Sequence, residues 1–182
     1  MKFQIKLRPF KMEDARFVNQ LRQDDRLESM LGGVKRPVSY ERDVKWIEDI
    51  LLKDNPNIIY FAITFIDSDD IIGYASISEI DYRNGTCFWS GTKIDPNVSA
   101  KGLGTESSLL LIKYIFEEMR MERCKGEALE NNDAALRMLE KVGFVREGLQ
   151  RHSVYKNGKH INQWLLSMLR EEYFQVKERY GV

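Results

Sequence analysis

The sequence predicts a single α/β (or α+β) domain, a mixed sheet with helices packed on it. Three observations predict it. Apolar spacing alternates between period two and helical stripes along the chain. Three strand-like runs follow one another between residues 58 and 94, divided by turn signals. The 182 residues, 43% of them hydrophobic, are enough for one sizeable core, and no Gly/Ser/Pro-rich linker or internal repeat divides them.

Phe3, Ile5 and Leu7 alternate with polar residues, so residues 2–8 read as a strand, and Pro9 ends it. Ala15, Phe17, Val18 and Leu21 fall at helical spacing within 11–22. Residues 24–33 are polar and end in two glycines, which reads as a short helix and a loop. Ser39 is placed to cap a helix whose stripe is Val44, Ile47, Ile50 and Leu51, and Asn55-Pro56-Asn57 stops it. The meander follows: strands 58–66, 71–80 and 87–94, joined by Asp67–Asp70 and by the Asn84-Gly85 turn. Gly91, inside the third strand, predicts a bulge or a close backbone approach. Leu109 to Met119 is apolar on most sides, so 107–119 reads as a helix set well into the core. Residues 124–129 form a short strand, Asn132 or Asp133 caps the next helix, and Gly143 stops it. Strands 144–155 and 161–169 flank an Asn157-Gly158 hairpin turn, and 170–180 reads as a charged helical extension. The order is β-α-α-β-β-β-α-β-α-β-β, with that extension after it.

The 28 basic and 28 acidic residues cancel, which argues against a nucleic-acid-binding role. Cys87 and Cys124 stand in no metal-ligand spacing, and His152 and His160 are the only histidines, so no metal site is expected. Two lone cysteines suit a reducing cytosol as small core residues. No segment approaches the ~20 apolar residues of a membrane helix, and the N-terminus lacks a signal peptide's apolar region. The expectation is a cytoplasmic protein with no membrane partner.

Chemistry concentrates at Ser99-Ala100-Lys101-Gly102-Leu103-Gly104-Thr105-Glu106, between the third meander strand and the apolar helix. Glycines at such a junction let a ligand approach the backbone, and the first helical N–H groups and the helix dipole favour phosphate. Three phosphate-binding readings compete. A Walker loop needs Gly-x-x-x-x-Gly-Lys-Ser/Thr, which the chain lacks. A dinucleotide fingerprint needs a third glycine where Ser107 stands. The third is an acyl-CoA pyrophosphate site, and the preceding meander agrees with it.

On these residues the chain resembles the GCN5-related N-acetyltransferases (GNAT), in particular the branch acting on ribosomal-protein N-termini and spermidine. Ser99 to Gly104 follows the family's Arg/Gln-x-x-Gly-x-Gly/Ala signature, with serine in its first place. Asn132-x-x-Ala135-x-x-x-Leu139-Glu140-Lys141-x-Gly143-Phe144 follows its second motif, and Gly148 to Tyr173 its C-terminal pattern. The resemblance runs from about Lys6 to Tyr173. It implies a twisted, mostly antiparallel sheet splayed at a CoA cleft, acetyl-CoA as co-substrate, and a primary amine as acceptor: a protein N-terminus, a polyamine or an amino-sugar. It also implies that Lys101, Gly102, Leu103, Gly104 and Thr105 cradle the pyrophosphate through backbone amides. Lys93 and Ile94 would pair with pantetheine, and Asn132 would contact the CoA arm, a role set beside plain helix capping. Leu139 stands where many relatives place a tyrosine general acid. Dimers are common in this branch, so a homodimer is a further implication.

Attack of an amine on a thioester needs a neutral amine, a stabilised oxyanion and a proton for the departing sulfur. The amine's free pKa is ~8 for an α-amine or ~10.4 for lysine, so a base is useful near neutrality. The resemblance implies two candidates, Glu127, five residues before Asn132, and Glu79, at the end of the central strand; each also reads as a surface ion-pair residue. For the acid, Tyr155, Ser153, Tyr74 and water are all open. Acceptor choice is expected from residues 24–40 and the 150–162 hairpin, whose mixed charges select no acceptor. Two other readings remain: a non-catalytic acyl-CoA-binding or sensing module on the same fold, and a nucleotide-binding protein.

Overall fold

A computed structural model describes residues 2–98 and 102–182. Its elements are β1 (Ile5–Arg8), α1 (Asp14–Arg22), α2 (Asp25–Ser29), α3 (Tyr40–Leu52), β2 (Ile58–Phe65), β3 (Ile71–Asp81), β4 (Thr86–Ile94), α4 (Leu103–Lys113), β5 (Arg123–Leu129), α5 (Asp133–Lys141), β6 (Val145–Lys156), β7 (Lys159–Leu169) and α6 (Arg170–Tyr180). The strands form one seven-stranded sheet in the order β1-β2-β3-β4-β5-β7-β6, antiparallel throughout except between β4 and β5.

Helices cover both faces of its centre, and the period-two alternation decides which residue meets which. On β2 and β3, Ala62 and Tyr74 join Val18 of α1 and Ile47 of α3. Ile63 and Ala75, one residue along, join Leu109, Ile112 and Phe116 on the other face. With both faces covered, β3 is buried continuously from Ile72 to Ile77, as a central strand should be.

Side chains close the helix ends. Asp24 caps α2 by accepting from the Arg26 and Leu27 N–H groups at 2.9 and 3.2 Å, and Ser39 caps α3 by accepting from Arg42 N–H at 3.3 Å. Gly143 takes φ +98° after α5, and a Cβ there would stand 2.6 Å from Val176 Cγ2, so glycine is required twice over. The Asn157-Gly158 turn has positive φ at both residues, the two-residue hairpin geometry.

The structure moves two expected boundaries. The apolar helix begins at Leu103, four residues before Ser107, because Gly102 at φ +77° is its cap. Its α-helical hydrogen bonding ends at Lys113 and continues as a wider π-turn over Tyr114–Glu118. Glu106, in the first turn, is buried and accepts from the backbone N–H groups of Gln4 and Ile5, which moors β1 to α4. The cysteines are free and buried, paired in register across β4 and β5 as core residues.

Candidate active site

The site begins where two parallel strands part. β4 and β5 pair only at Thr86–Arg123, Cys87–Cys124 and Phe88–Lys125. Beyond Phe88, β4 carries a bulge: Ile77 opposes Trp89 and Ser76 opposes Gly91, so Ser90 is the extra residue. Gly91 has φ +113°, which a side chain would strain. A bulge bends and over-twists its strand, here at the point where β4 and β5 cease to pair. The β5-facing edge of β4 from Trp89 onward therefore has no strand partner among the described residues.

Between the parted strands lies a cavity of about 860 Å³, within the usual range for small-molecule sites. Trp89, Thr92 and Lys93 of β4 face Glu127 and Ala128 of β5 across it. Ala135, Met138 and Leu139 of α5 supply an apolar wall, and residues within 22–46 supply a second one.

The expected site residues fall as follows. Gly102, Leu103, Gly104 and Thr105 form the N-terminus of α4, where the first N–H groups lack intrahelical acceptors. Leu103 is fully buried in the core, so only its backbone is offered to a ligand. Lys101, with Ser99 and Ala100, lies outside the described residues. Gly104 is informative. Its φ is not positive, and an added Cβ would meet no neighbouring atom within 4 Å among the described residues. Neither backbone strain nor packing among the described residues accounts for glycine in this helical turn.

Lys93 lines the cavity and pairs with Glu28 at 3.1 Å, while Ile94 points into the core. Asn132 both caps α5, accepting from Ala135 N–H at 3.1 Å, and donates its amide to the Met30 carbonyl at 3.0 Å. Its side chain thus ties α5 to the loop after α2. Glu127 stands on the cavity wall, exposed, and accepts a long 3.3 Å bond from Gln150 Nε2. Apolar side chains do not enclose it. Glu79 is elsewhere: it is 61% exposed, paired with Lys125 at 2.9 Å, and absent from the cavity lining. The structure therefore separates the two carboxylates. Of the three hydroxyl candidates only Ser153 lines the cavity; Tyr74 is buried beneath Lys93, and Tyr155 packs on His160 outside.

The two segments expected to choose the acceptor contribute unequally to the cavity. Arg22, Glu28 and Arg36 line the cavity, together with Arg42, Asp43 and Trp46 of α3, three residues sequence reasoning missed. No motif marks them, because tertiary packing alone brings α3 to this wall. From the hairpin, Ser153 and Val154 reach the cavity, but Arg151, His152, Tyr155 and His160 do not. Lys156 is buried and donates to the backbone carbonyls of Leu31 and Gly33, fastening the loop after α2; burial pushes its ammonium pKa down. Among the described residues no cluster of three or more His, Cys, Asp or Glu could hold a metal, and no helix is long and apolar enough to cross a membrane.

Comparison with known proteins agrees with this geometry. Residues 4–145 match the family model of the GNAT acetyltransferase domain. The chain is 26% identical over 170 residues to the prophage-derived uncharacterized N-acetyltransferase YokL of Bacillus subtilis, covering 93% of this chain and 92% of that one. It is 24% identical over 169 residues to the spermidine N(1)-acetyltransferase of Escherichia coli, covering 93% and 88%. Its fold is that of the spermidine N-acetyltransferase from Vibrio cholerae, solved with CoA and spermine, at a TM-score of 0.85, 19% identity, and 94% and 98% coverage.

Proposed function

Because the chain belongs to the GNAT acetyltransferase family, we propose that it moves the acetyl group of acetyl-CoA to a primary amine by direct attack in the cavity between β4 and β5. The parting of β4 from β5 carries this reading, since among the described residues it leaves a free strand edge beside a cavity of about 860 Å³. Acetyl-CoA, when bound, supplies a thioester whose C–S bond is exchanged for C–N, the ammonium giving up two protons of which one ends on sulfur.

The chain's own residues do the rest. The free edge of β4 aligns pantetheine by strand-like pairing and offers backbone N–H groups to the thioester oxygen. The first turn of α4, Gly102 to Thr105, holds the pyrophosphate. Glu127 accepts the amine's proton, directly or through one water. Glu79, held by Lys125 away from the cavity, serves the sheet surface.

Differential melting tests the donor half. Acetyl-CoA and CoA at a hundredfold excess over Kd should stabilise the protein by roughly 2.7 kcal/mol, and ATP and NAD should not. Gly104→Ala should melt no lower than the parent when free, since the substitution removes up to about 1 kcal/mol of helix cost. Yet it should lose at least about tenfold in CoA affinity, or about 1.4 kcal/mol. Unchanged CoA affinity in Gly104→Ala would remove α4 from the pyrophosphate site.

A further inference from the structure

The wall contributed by residues 22–46 carries more positive charge than the sheet side neutralises. The cationic side chains lining the cavity are Arg22, Arg36, Arg42 and Lys93, and the anionic ones are Glu28, Asp43 and Glu127. Lys93 is matched by Glu28 at 3.1 Å and Arg22 by Asp43 at 2.9 Å. Arg36 and Arg42 have no carboxylate partner among the described residues, and Glu127 stands apart on β5.

Arg22 is the built element of this wall. Asp43, 1% exposed, approaches Arg22 Nε off the hydrogen-bond axis, so it holds the guanidinium by charge. Asp43 is itself fixed by Asn19 Nδ2 at 2.9 Å. The guanidinium lies over the Trp46 ring, 4.9 Å from its centroid. Its two terminal nitrogens make no hydrogen bond among the described residues, and the side chain remains 28% exposed at the cavity. A guanidinium oriented at Nε and stacked on an aromatic face, with its planar fork left unused, is arranged for a carboxylate or phosphate. A polyamine, cationic along its length, would meet this wall with repulsion.

We infer that the acceptor is a small primary amine that also carries a carboxylate or phosphate: Arg22 binds the anion, Arg36 and Arg42 draw it in, and Glu127 faces the amine. This rests on the acetyl-transfer reading above and narrows its acceptor. The charge layout is dipolar, with an anionic group on β5 for the ammonium and cations on the helical wall for the acid group.

Matched pairs test it: an α-amino acid against its carboxamide, and glucosamine 6-phosphate against glucosamine, with spermidine as the polycationic control. In one pair the acidic member should show at least tenfold higher kcat/KM by CoA release, and which pair it is separates carboxylate from phosphate. Arg22→Met should collapse that ratio by raising KM for the acidic member, leaving KM for acetyl-CoA as it was. Since Arg22→Met leaves Asp43 buried without its cation and can unfold, the double variant R36Q/R42Q, at exposed positions, tests the wall independently and should lower the same ratio. Preference for spermidine or for the members lacking the acid group would overturn the inference, as would variants that raise KM for acetyl-CoA instead. If no amine is turned over, the same pairs are added to CoA-saturated protein. A melting rise with the acidic member alone supports the wall, and equal shifts overturn it. Failure of the donor reading is seen separately, as no melting response to acetyl-CoA at all.

Discussion

Glu127→Gln is expected to lower kcat about 10²-fold while leaving the affinity for acetyl-CoA unchanged. The carboxylate lines the cavity, and its one hydrogen bond among the described residues is the weak 3.3 Å contact from Gln150. The amide keeps the shape and cannot take a proton. The expected loss sits at the low end of the general-base range, because Glu127 is exposed and water can substitute in part. The deficit should shrink as pH rises towards the amine's own pKa of ~8 to ~10.4, since hydroxide and free amine then replace the base. Glu79→Gln, by contrast, should lose only its surface pair with Lys125, a change of less than about 1 kcal/mol in stability. Steady-state kinetics of both variants across pH checks the contrast. Equal losses in the two, or parental turnover in Glu127→Gln, would remove Glu127 as base.

Gly73→Ala should damage the fold and the site together. A Cβ at this β3 position would stand 2.5 Å from the Lys93 carbonyl oxygen and 3.0 Å from Ile94 Cα, both backbone atoms that no rotamer change can move. Gly73 lies opposite Ile94, beside the end of the β4 edge proposed to hold pantetheine. Relieving the overlap means pushing β4 outward, a cost of roughly 1–3 kcal/mol. For a chain of this size that corresponds to a fall in melting temperature of about 2–12 °C. CoA affinity should fall with it. Thermal melts with and without CoA separate the two effects; a variant that melts lower yet binds CoA as the parent does would show that the β4 edge tolerates displacement.

These positions also show what could be read in advance. The strands, α3, α5 and α6 follow from local patterns that the tertiary structure respects: Ser39 and Asn132 cap where their hydroxyl and amide predict, and β4 bulges at Ser90, next to Gly91. The glycine-led start of α4, proposed above to hold the pyrophosphate, was legible as a helix start because glycine there is a local signature. The two carboxylates were not separable. β3 shifts register between Ser78 and Asp81, and Glu79 takes φ +48°, so counting alternate faces along the strand fails there. The wall proposed to meet the acceptor was equally hidden. Arg22, Asp43 and Trp46 lie on two helices, and only their packing brings guanidinium, carboxylate and indole together. The serine that opens the glycine signature, Ser99, lies outside the described residues.

The most direct test of the account is amine-dependent acetyl transfer by the intact chain. Acetyl-CoA is supplied with a panel of primary amines, and free CoA and acetylated amine are quantified together. The two should form in equal amounts, neither should form without an amine, and Glu127→Gln should slow both alike. Stabilisation by acetyl-CoA with no acetylated product from any amine would contradict it and leave a protein that binds the donor without using it.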